Sequence, residues 1–170
     1  GVMVAVDLGG GGSRPVDIAV IEESDVAAVK AWLVELVRGL GVEVLVTDDL
    51  NTYKQITTEQ GIGHQICRFH ARRWVSRSLR EMGRQLGPKW QPVLAEADRI
   101  LRELPPDGGQ RLFRLQASIL SPPPAPGERA SVCYRLKQTL LRLSEDWHHH
   151  RLFRTVPVVP TSVRGERAIA

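Results

Sequence analysis

The sequence predicts an α/β domain that is interrupted by a long all-helical segment. Up to His70, short apolar runs and amphipathic stretches alternate in the order strand, strand, helix, strand, helix, strand. The run at 44–46 is nearly uninterrupted and rich in β-branched residues, which predicts an interior parallel strand covered on both faces. Between Arg73 and Arg154 only helical periodicity and turn signals are found. These observations together indicate a mixed sheet with a helical insertion.

Turn and capping residues delimit the elements predicted before His70. Segments 2–8 and 15–22 predict an antiparallel hairpin, and the glycines at 9–12 lack a Walker ending, so they indicate a flexible hairpin tip. Ser24 is expected to cap a helix that runs to about Leu40, with apolar residues at intervals of three and four. A second helix over 51–60 and a short strand over 65–67 are expected to follow.

The helical part has one strongly basic stretch. The helix predicted over 71–86 carries an apolar stripe and, on much of the remaining surface, arginines at 72, 73, 77, 80 and 84. Further helices are predicted over 90–104, 111–120 and 128–150, with a proline-rich connector at 121–127. An extended segment at 155–160 and a helical start at 161–170 close the chain. The predicted domain organisation is a core over 1–72, a helical insertion over 73–154 and a return to the core over 155–170.

Composition favours a globular protein with a polyanionic partner. The chain has 170 residues, 42% hydrophobic and 25% charged, with a formal net charge of +4 and a pI near 9.5. Cys67 and Cys133 match no disulfide framework, which predicts a reducing cytosol, and no apolar run approaches the length of a membrane span. The chain is expected to be a fragment of a longer protein.

Acidic residues follow the predicted interior strand. Asp48 and Asp49 come directly after it, where ligands bind in open α/β sheets, and Glu166 lies on the last predicted helix. A carboxylate at a strand end and a second one from a distant helix are what a two-metal hydrolytic site requires, because carboxylates hold the ions that activate water. Most Asp and Glu side chains are solvated surface groups, so this pattern alone is weak.

The other candidate residues leave two interpretations open. Cys67-x-x-His70 has the spacing of half a zinc site, but no second pair of ligands is evident. His70 is then either a satisfied core histidine or a residue that faces a catalytic centre. The arginines of segment 71–86 form either a solvated helix face or a surface that contacts phosphates. Trp147 is expected in the core rather than stacked on a base.

Four blocks of the sequence resemble, in order, those of bacterial insertion-sequence transposases of the DDE class. They are TDDLNTYK at 47–54, HQICRFH at 64–70, LSEDW at 143–147 and TSVRGERAIA at 161–170. The resemblance implies a ribonuclease H-like core with a helical insertion between the second and third catalytic acids. It also implies cleavage and joining of DNA in transposition with two Mg²⁺ or Mn²⁺ ions.

The resemblance assigns roles residue by residue. The family's second catalytic aspartate falls on Asp48, its Cys/Asp-x-x-His signature on Cys67 and His70, and its third acid on Glu166. Asp48 and Glu166 would hold the metal ions and Asp49 would support the site. The arginines that would contact DNA are Arg68, Arg72, Arg73, Arg77 and Arg167. The implied partners are transposon ends and target DNA, with a homo-oligomeric full-length protein located in the bacterial cytoplasm at the nucleoid.

Two departures from the family are expected to matter. Ser162 and Val163 stand where the family has a pair of asparagines, which alters the surroundings of Glu166. Only two strands precede the first helix, whereas a ribonuclease H-like sheet opens with three. The first strand and its catalytic aspartate are therefore expected upstream of Gly1, and Asp7 is not assigned to catalysis. Without that strand we expect the chain not to cleave DNA alone.

Two alternatives come from other functional classes. The chain is consistent with an inactive or repurposed transposase that binds DNA without cutting it, which the two departures favour. It is also consistent with another ribonuclease H-like nuclease such as a resolvase. The long insertion and the Cys-x-x-His block argue against the nuclease.

Overall fold

The chain has a mixed α and β structure and forms two compact units. The structure is a computed structural model, and it describes residues 1–9, 13–158 and 160. The first unit, called here the sheet unit, comprises Gly1–Ala71 and the described residues from Leu152 to Pro160. The second, called the helical unit, comprises Arg72–Arg151. None of the helices in the described part of the chain is both long enough and apolar enough to span a membrane.

The elements of the first seventy residues occur in the predicted order. The strands are β1 (Val2–Asp7), β2 (Arg14–Val20), β3 (Val44–Thr47) and β4 (Gly63–Ile66), and the helices between them are α1 (Val26–Leu40) and α2 (Asn51–Gln60). Asp25 rather than Ser24 caps α1, because its carboxylate accepts the amide hydrogen of Ala28 at 3.0 Å. Gly41 ends α1 in the left-handed conformation that glycine adopts without strain.

The strands form two separate pairs rather than one sheet. β1 and β2 are antiparallel, from Val2 opposite Val20 to Asp7 opposite Arg14, with an irregularity between Ala5 and Val6. β3 and β4 are parallel, and no strand among the described residues joins the two pairs. The strand predicted at 44–46 is parallel as expected, but the prediction that it is interior and covered on both faces was wrong for the described residues. β3 has one hydrogen-bonded neighbour, and all four of its residues remain partly exposed.

Both strand pairs pack against the same apolar cluster. Its buried members are Val29, Leu33, Tyr53 and Ile56, contributed by α1 and α2. Met3 of β1 and Leu45 of β3 are partly buried against this cluster. On the other side of the second pair, the turn Leu152–Arg154 covers β4, and the backbone amide of Phe153 donates to Gln65 Oε1 at 2.9 Å. A single core therefore organises the sheet unit although its strands are divided.

The helical unit has a closed core. α3 (Arg68–Leu86) begins in the sheet unit and is followed by α4 (Gln91–Glu103), α5 (Gly108–Ala117), α6 (Val132–Glu145) and α7 (Trp147–Arg151). The predicted helix over 128–150 is two helices separated at Asp146, and the helix expected from Arg111 begins at Gly108. Leu112, Leu136 and Leu140 are fully buried.

Candidate active site at the end of strand β3

Asp48 lies directly beyond the carboxyl end of β3, and hydrogen bonds fix the peptide group on each side of it. The amide of Cys67 donates to Thr47 O at 2.6 Å, and the Thr47 hydroxyl donates to Asp48 O at 3.0 Å. Thr47 Oγ1 also lies 2.8 Å from Nε2 of His64, which is 2% exposed. The position of the Asp48 Cα is therefore set by its own strand and by the residue that follows β4.

The Asp48 carboxyl group is in an environment that disfavours its charge. Its Oδ1 atom is buried and accepts no hydrogen bond from any described residue. Burial raises the pKa of Asp48 above its ordinary value, and the nearby charges of Glu23 and Asp49 raise it further, whereas His70 acts in the opposite direction. A carboxylate oxygen that is buried without a partner is suited to accept a cation or a proton donor.

Glu23 is a residue of this site that sequence reasoning missed. It lies in the loop between β2 and α1, and the Tyr53 hydroxyl contacts its Oε1 at 3.4 Å. Burial raises the pKa of Tyr53, and the charges of Glu23 and Asp48 add to the effect. The available signal was the acidic pair Glu22 and Glu23, which lies between the end of a predicted strand and a helix cap.

Asp49 and Lys54 form an ion pair beside the site. Asp49 Oδ1 lies 2.6 Å from Lys54 Nζ, and both side chains are largely buried. The pair joins the end of β3 to α2, since Lys54 lies in the first turns of that helix. Asp49 therefore has a partner that compensates its charge, whereas Asp48 Oδ1 has none among the described residues.

The Cys67-x-x-His70 block forms the junction of β4 and α3. Cys67 is fully buried, and its carbonyl accepts the amide hydrogen of Ala71 at 3.0 Å in the first turn of α3. His70 is partly buried, lies edge-on to Phe69 with ring centroids 5.4 Å apart, and is close enough to Asp48 to affect its pKa. The block thus brings His70 to the strand-end carboxylate, while buried Cys67 contributes through its backbone.

The predicted DNA-contacting arginines have different surroundings. The Arg68 guanidinium lies over the Phe153 ring at 5.3 Å, and the Arg68 amide donates to Pro160 O at 2.8 Å. Arg72, Arg73 and Arg77 are exposed on α3 and form no ion pair with any described residue. Their charges are therefore not compensated within the described part of the chain.

Several predicted residues lie elsewhere or outside the described ranges. Glu166 and Arg167, together with Ser162 and Val163, fall outside the described residues. Asp7 lies on the exposed hairpin, where its Oδ1 accepts the Gly9 amide at 2.8 Å. Within residues 1–9, 13–158 and 160, no group of three or more His, Cys, Asp or Glu side chains is arranged to hold a metal ion. The pairing of Asp48 with Glu166 stays a prediction.

No protein-family model matches the chain, and searches of curated proteins and of solved structures also find no match.

Proposed function

We propose that the chain is part of the catalytic core of a DDE-class DNA transposase with a ribonuclease H-like fold. The observation that carries this proposal is Asp48 at the end of β3, with a buried Oδ1 that has no partner among the described residues. The order of the four sequence blocks adds support. So does His70, which the Cys67-x-x-His70 block brings near this carboxylate.

The divided sheet supports the ribonuclease H-like assignment. The carbonyls of Glu43 and Thr47 accept hydrogen bonds from the amides of Gly63 in β4 and Cys67 directly after it. The N–H and C=O groups of Val44 and Val46 therefore point to the opposite edge of β3. β1 has a similar open edge, because the Gly1 carbonyl bonds to β2 and alternate residues turn away. A strand between β1 and β3 would occupy both edges and would carry the first catalytic aspartate.

The donors at the site suit a hard divalent cation such as Mg²⁺ or Mn²⁺. Asp48 offers an oxygen without a protein partner among the described residues, and Glu166 would supply the second carboxylate. When bound, the ions would activate water and stabilise the leaving oxygen of a phosphodiester. The contribution of this chain is to fix Asp48 and to bind DNA phosphates through the arginines of α3.

Metal binding tests the proposal directly. Titration calorimetry with Mn²⁺ should show binding that Asp48→Ala and Glu166→Ala each weaken at least about tenfold, because each removes a ligand. Asp98→Ala is the matched control, since it removes an acidic side chain of α4 that is paired with Arg102 at 3.1 Å. Equal Mn²⁺ affinity in wild type and Asp48→Ala would rule out the metal site.

DNA binding tests the role of the α3 arginines. We expect the triple variant Arg72→Gln, Arg73→Gln, Arg77→Gln to weaken binding to duplex DNA and to reduce the salt dependence by about two to three ion equivalents, at about 0.9 per phosphate contact. The control triple Arg99→Gln, Arg102→Gln, Arg111→Gln removes the same charge from arginines that are ion-paired. If both triples lose equal affinity, net charge rather than the α3 surface determines binding.

A second candidate function is a transposase remnant that binds DNA without cleaving it. The exposed arginines of α3 favour it, because their exposure does not depend on the acidic residues. DNA binding that requires these arginines, combined with no Mn²⁺ binding, would establish the remnant over the enzyme.

A further inference from the structure

A chain of hydrogen bonds reaches Asp48 from the buried histidine of β4. His64 and Leu45 are register partners in the parallel pair, and Thr47 lies two residues beyond Leu45, at the last position of β3. Side chains two residues apart in a strand point to the same face, so Thr47 and His64 share one face of the pair. Thr47 Oγ1 bridges the two groups, at 2.8 Å from His64 Nε2 and 3.0 Å from Asp48 O.

One arrangement of protons makes both contacts of Thr47 hydrogen bonds at the same time. A carbonyl oxygen only accepts, so the Thr47 hydroxyl hydrogen must go to Asp48 O. The hydroxyl has no second hydrogen, and its contact with His64 is a hydrogen bond only if His64 Nε2 donates. Both contacts are therefore hydrogen bonds at the same time only when the His64 ring carries a proton on Nε2.

This series of hydrogen bonds restrains the backbone on both sides of Asp48. The peptide group before Asp48 is held by the Cys67 amide, and the peptide group after it is held by Thr47 and, through Thr47, by His64. With both adjacent peptide planes fixed, the direction of the Asp48 Cα–Cβ bond is fixed as well. The side chain that must meet the cation is then set by residues that do not touch the cation.

We infer that His64 and Thr47 are positioning residues for Asp48, acting from strand β4 through the Asp48 carbonyl. This inference rests on the proposed function, because the proposed function is what requires Asp48 to bind a divalent cation. Partners of metal ligands, one shell removed from the ion, commonly contribute about ten- to one-hundredfold to metal affinity. His64 was part of the HQICRFH block but had no assigned role of its own.

The test compares Mn²⁺ affinity across matched variants of the full chain. We expect Thr47→Val and His64→Leu each to weaken Mn²⁺ binding about tenfold, and the double variant to lose no more than either single one, because both break the same chain. Thr47→Ser and His64→Gln retain a hydroxyl and a donor nitrogen, and should restore affinity to within about twofold of wild type.

Thr57→Val is the control for loss of a buried hydroxyl. Thr57 is 1% exposed in the same unit. Among the described residues its hydroxyl bonds only to backbone carbonyls of α2, at 3.0 Å from Tyr53 O and Lys54 O. It should leave Mn²⁺ affinity unchanged while lowering stability as Thr47→Val does. Wild-type affinity in Thr47→Val, or equal losses of affinity in Thr47→Val and Thr57→Val, would overturn the inference.

An NMR measurement without metal tests the hydrogen bonds from His64 through Thr47 to Asp48, called here the positioning chain. Nitrogen-15 shifts should show His64 protonated at Nε2, and Thr47→Val should shift the Asp48 carbonyl carbon as its hydrogen bond is lost. If Asp48→Ala does not weaken Mn²⁺ binding but these signals hold, the proposed function fails and the positioning chain stands. An unprotonated Nε2 in His64 would overturn the positioning chain whatever the metal result.

Discussion

The central helices of the helical unit and strands β2 and β3 of the sheet unit differ in how completely their apolar residues are enclosed. In the helical unit, Leu112, Leu136 and Leu140 are fully buried, and helices cover them on several sides. In the sheet unit, β3 remains partly exposed along its length, and Val20 of β2 is 85% exposed. The same kind of apolar sequence thus ends in a closed core in one unit and at open strand edges in the other. The difference follows from strand pairing, because β3 has one hydrogen-bonded neighbour among the described residues.

The sharpest test of the closed core is a single added methyl group. A Cβ on Gly108 would come within 3.0 Å of three atoms of the Trp147 indole, whose Nε1 is held by Pro105 O at 3.1 Å. We expect Gly108→Ala to lower the free energy of unfolding by about 4 kcal/mol or more, because neither the ring nor the backbone has space to move. Denaturant unfolding followed by circular dichroism measures this loss.

Gly39 provides the opposite case for the same substitution. It lies in α1 of the sheet unit, and a Cβ there would meet no atom within 4 Å. Gly39→Ala should therefore stabilise the protein by about 0.5 to 1 kcal/mol through the lower entropy of its unfolded chain. Similar destabilisation by both variants would show that the contact with Trp147 is not what makes Gly108 necessary.

The next prediction compares the loss of unfolding free energy when apolar atoms are removed from each unit. Leu140→Ala should lower the free energy of unfolding by about 3 kcal/mol, because it leaves a cavity at a fully buried position of α6. Val46→Ala should cost less than about 1 kcal/mol, because Val46 is partly exposed on β3. Hydrogen exchange resolved by segment would assign each loss to its unit. A loss at Val46 as large as at Leu140 would mean that β3 is enclosed in solution.

The smallest expected effect concerns the charge of Asp48. Because the folded-state pKa of Asp48 is raised, chiefly by burial, the folded state favours the protonated carboxyl. Stability from this group is present below the unfolded pKa of Asp48 and is lost as the pH rises through the folded pKa. Asp48→Asn should therefore stabilise the protein at neutral pH by less than about 1 kcal/mol, since solvent screens a partly exposed group.

The pH dependence separates this effect from packing. The gain from Asp48→Asn should disappear below the unfolded pKa of Asp48, where wild type and variant are both neutral at this position. Glu23, Asp49 and His70 also affect the Asp48 carboxyl, so unfolding is measured from pH 3 to pH 8 with Glu23→Gln beside it. A gain that does not vary with pH would show that the charge of Asp48 is not its source.

The sequence was sufficient for elements whose signals are local. The apolar spacing of α1 and α2, and the short apolar runs of β3 and β4, identified these elements because period and turn residues act within a few positions. The strand-end position of Asp48 followed from the same reasoning. The absence of a hydrogen-bonded partner on the far edge of β3 could not be predicted, because strand pairing depends on residues distant in sequence.

Other features depended on packing that a sequence pattern does not contain. Gly108 and Gly109 precede the helix predicted over 111–120, but they begin α5, where small residues allow the Trp147 ring to approach the backbone. Apolar periodicity continued across Asp146, so the division between α6 and α7 was not expected. Glu23 was missed because its relation to Asp48 arises only when the loop before α1 and the end of β3 lie together.

The return of the chain after the helical unit is tied to the strand from which it departed. Phe153 is held by Gln65 of β4, the Arg68 amide holds Pro160, and the Leu152 side chain lies where a Cβ on Gly63 would meet it. The segments before and after the helical unit are thus hydrogen-bonded to each other through Gln65, Arg68 and their partners, all of which lie in the sheet unit. The number of residues between these two segments can therefore change at little entropic cost to the core of the sheet unit.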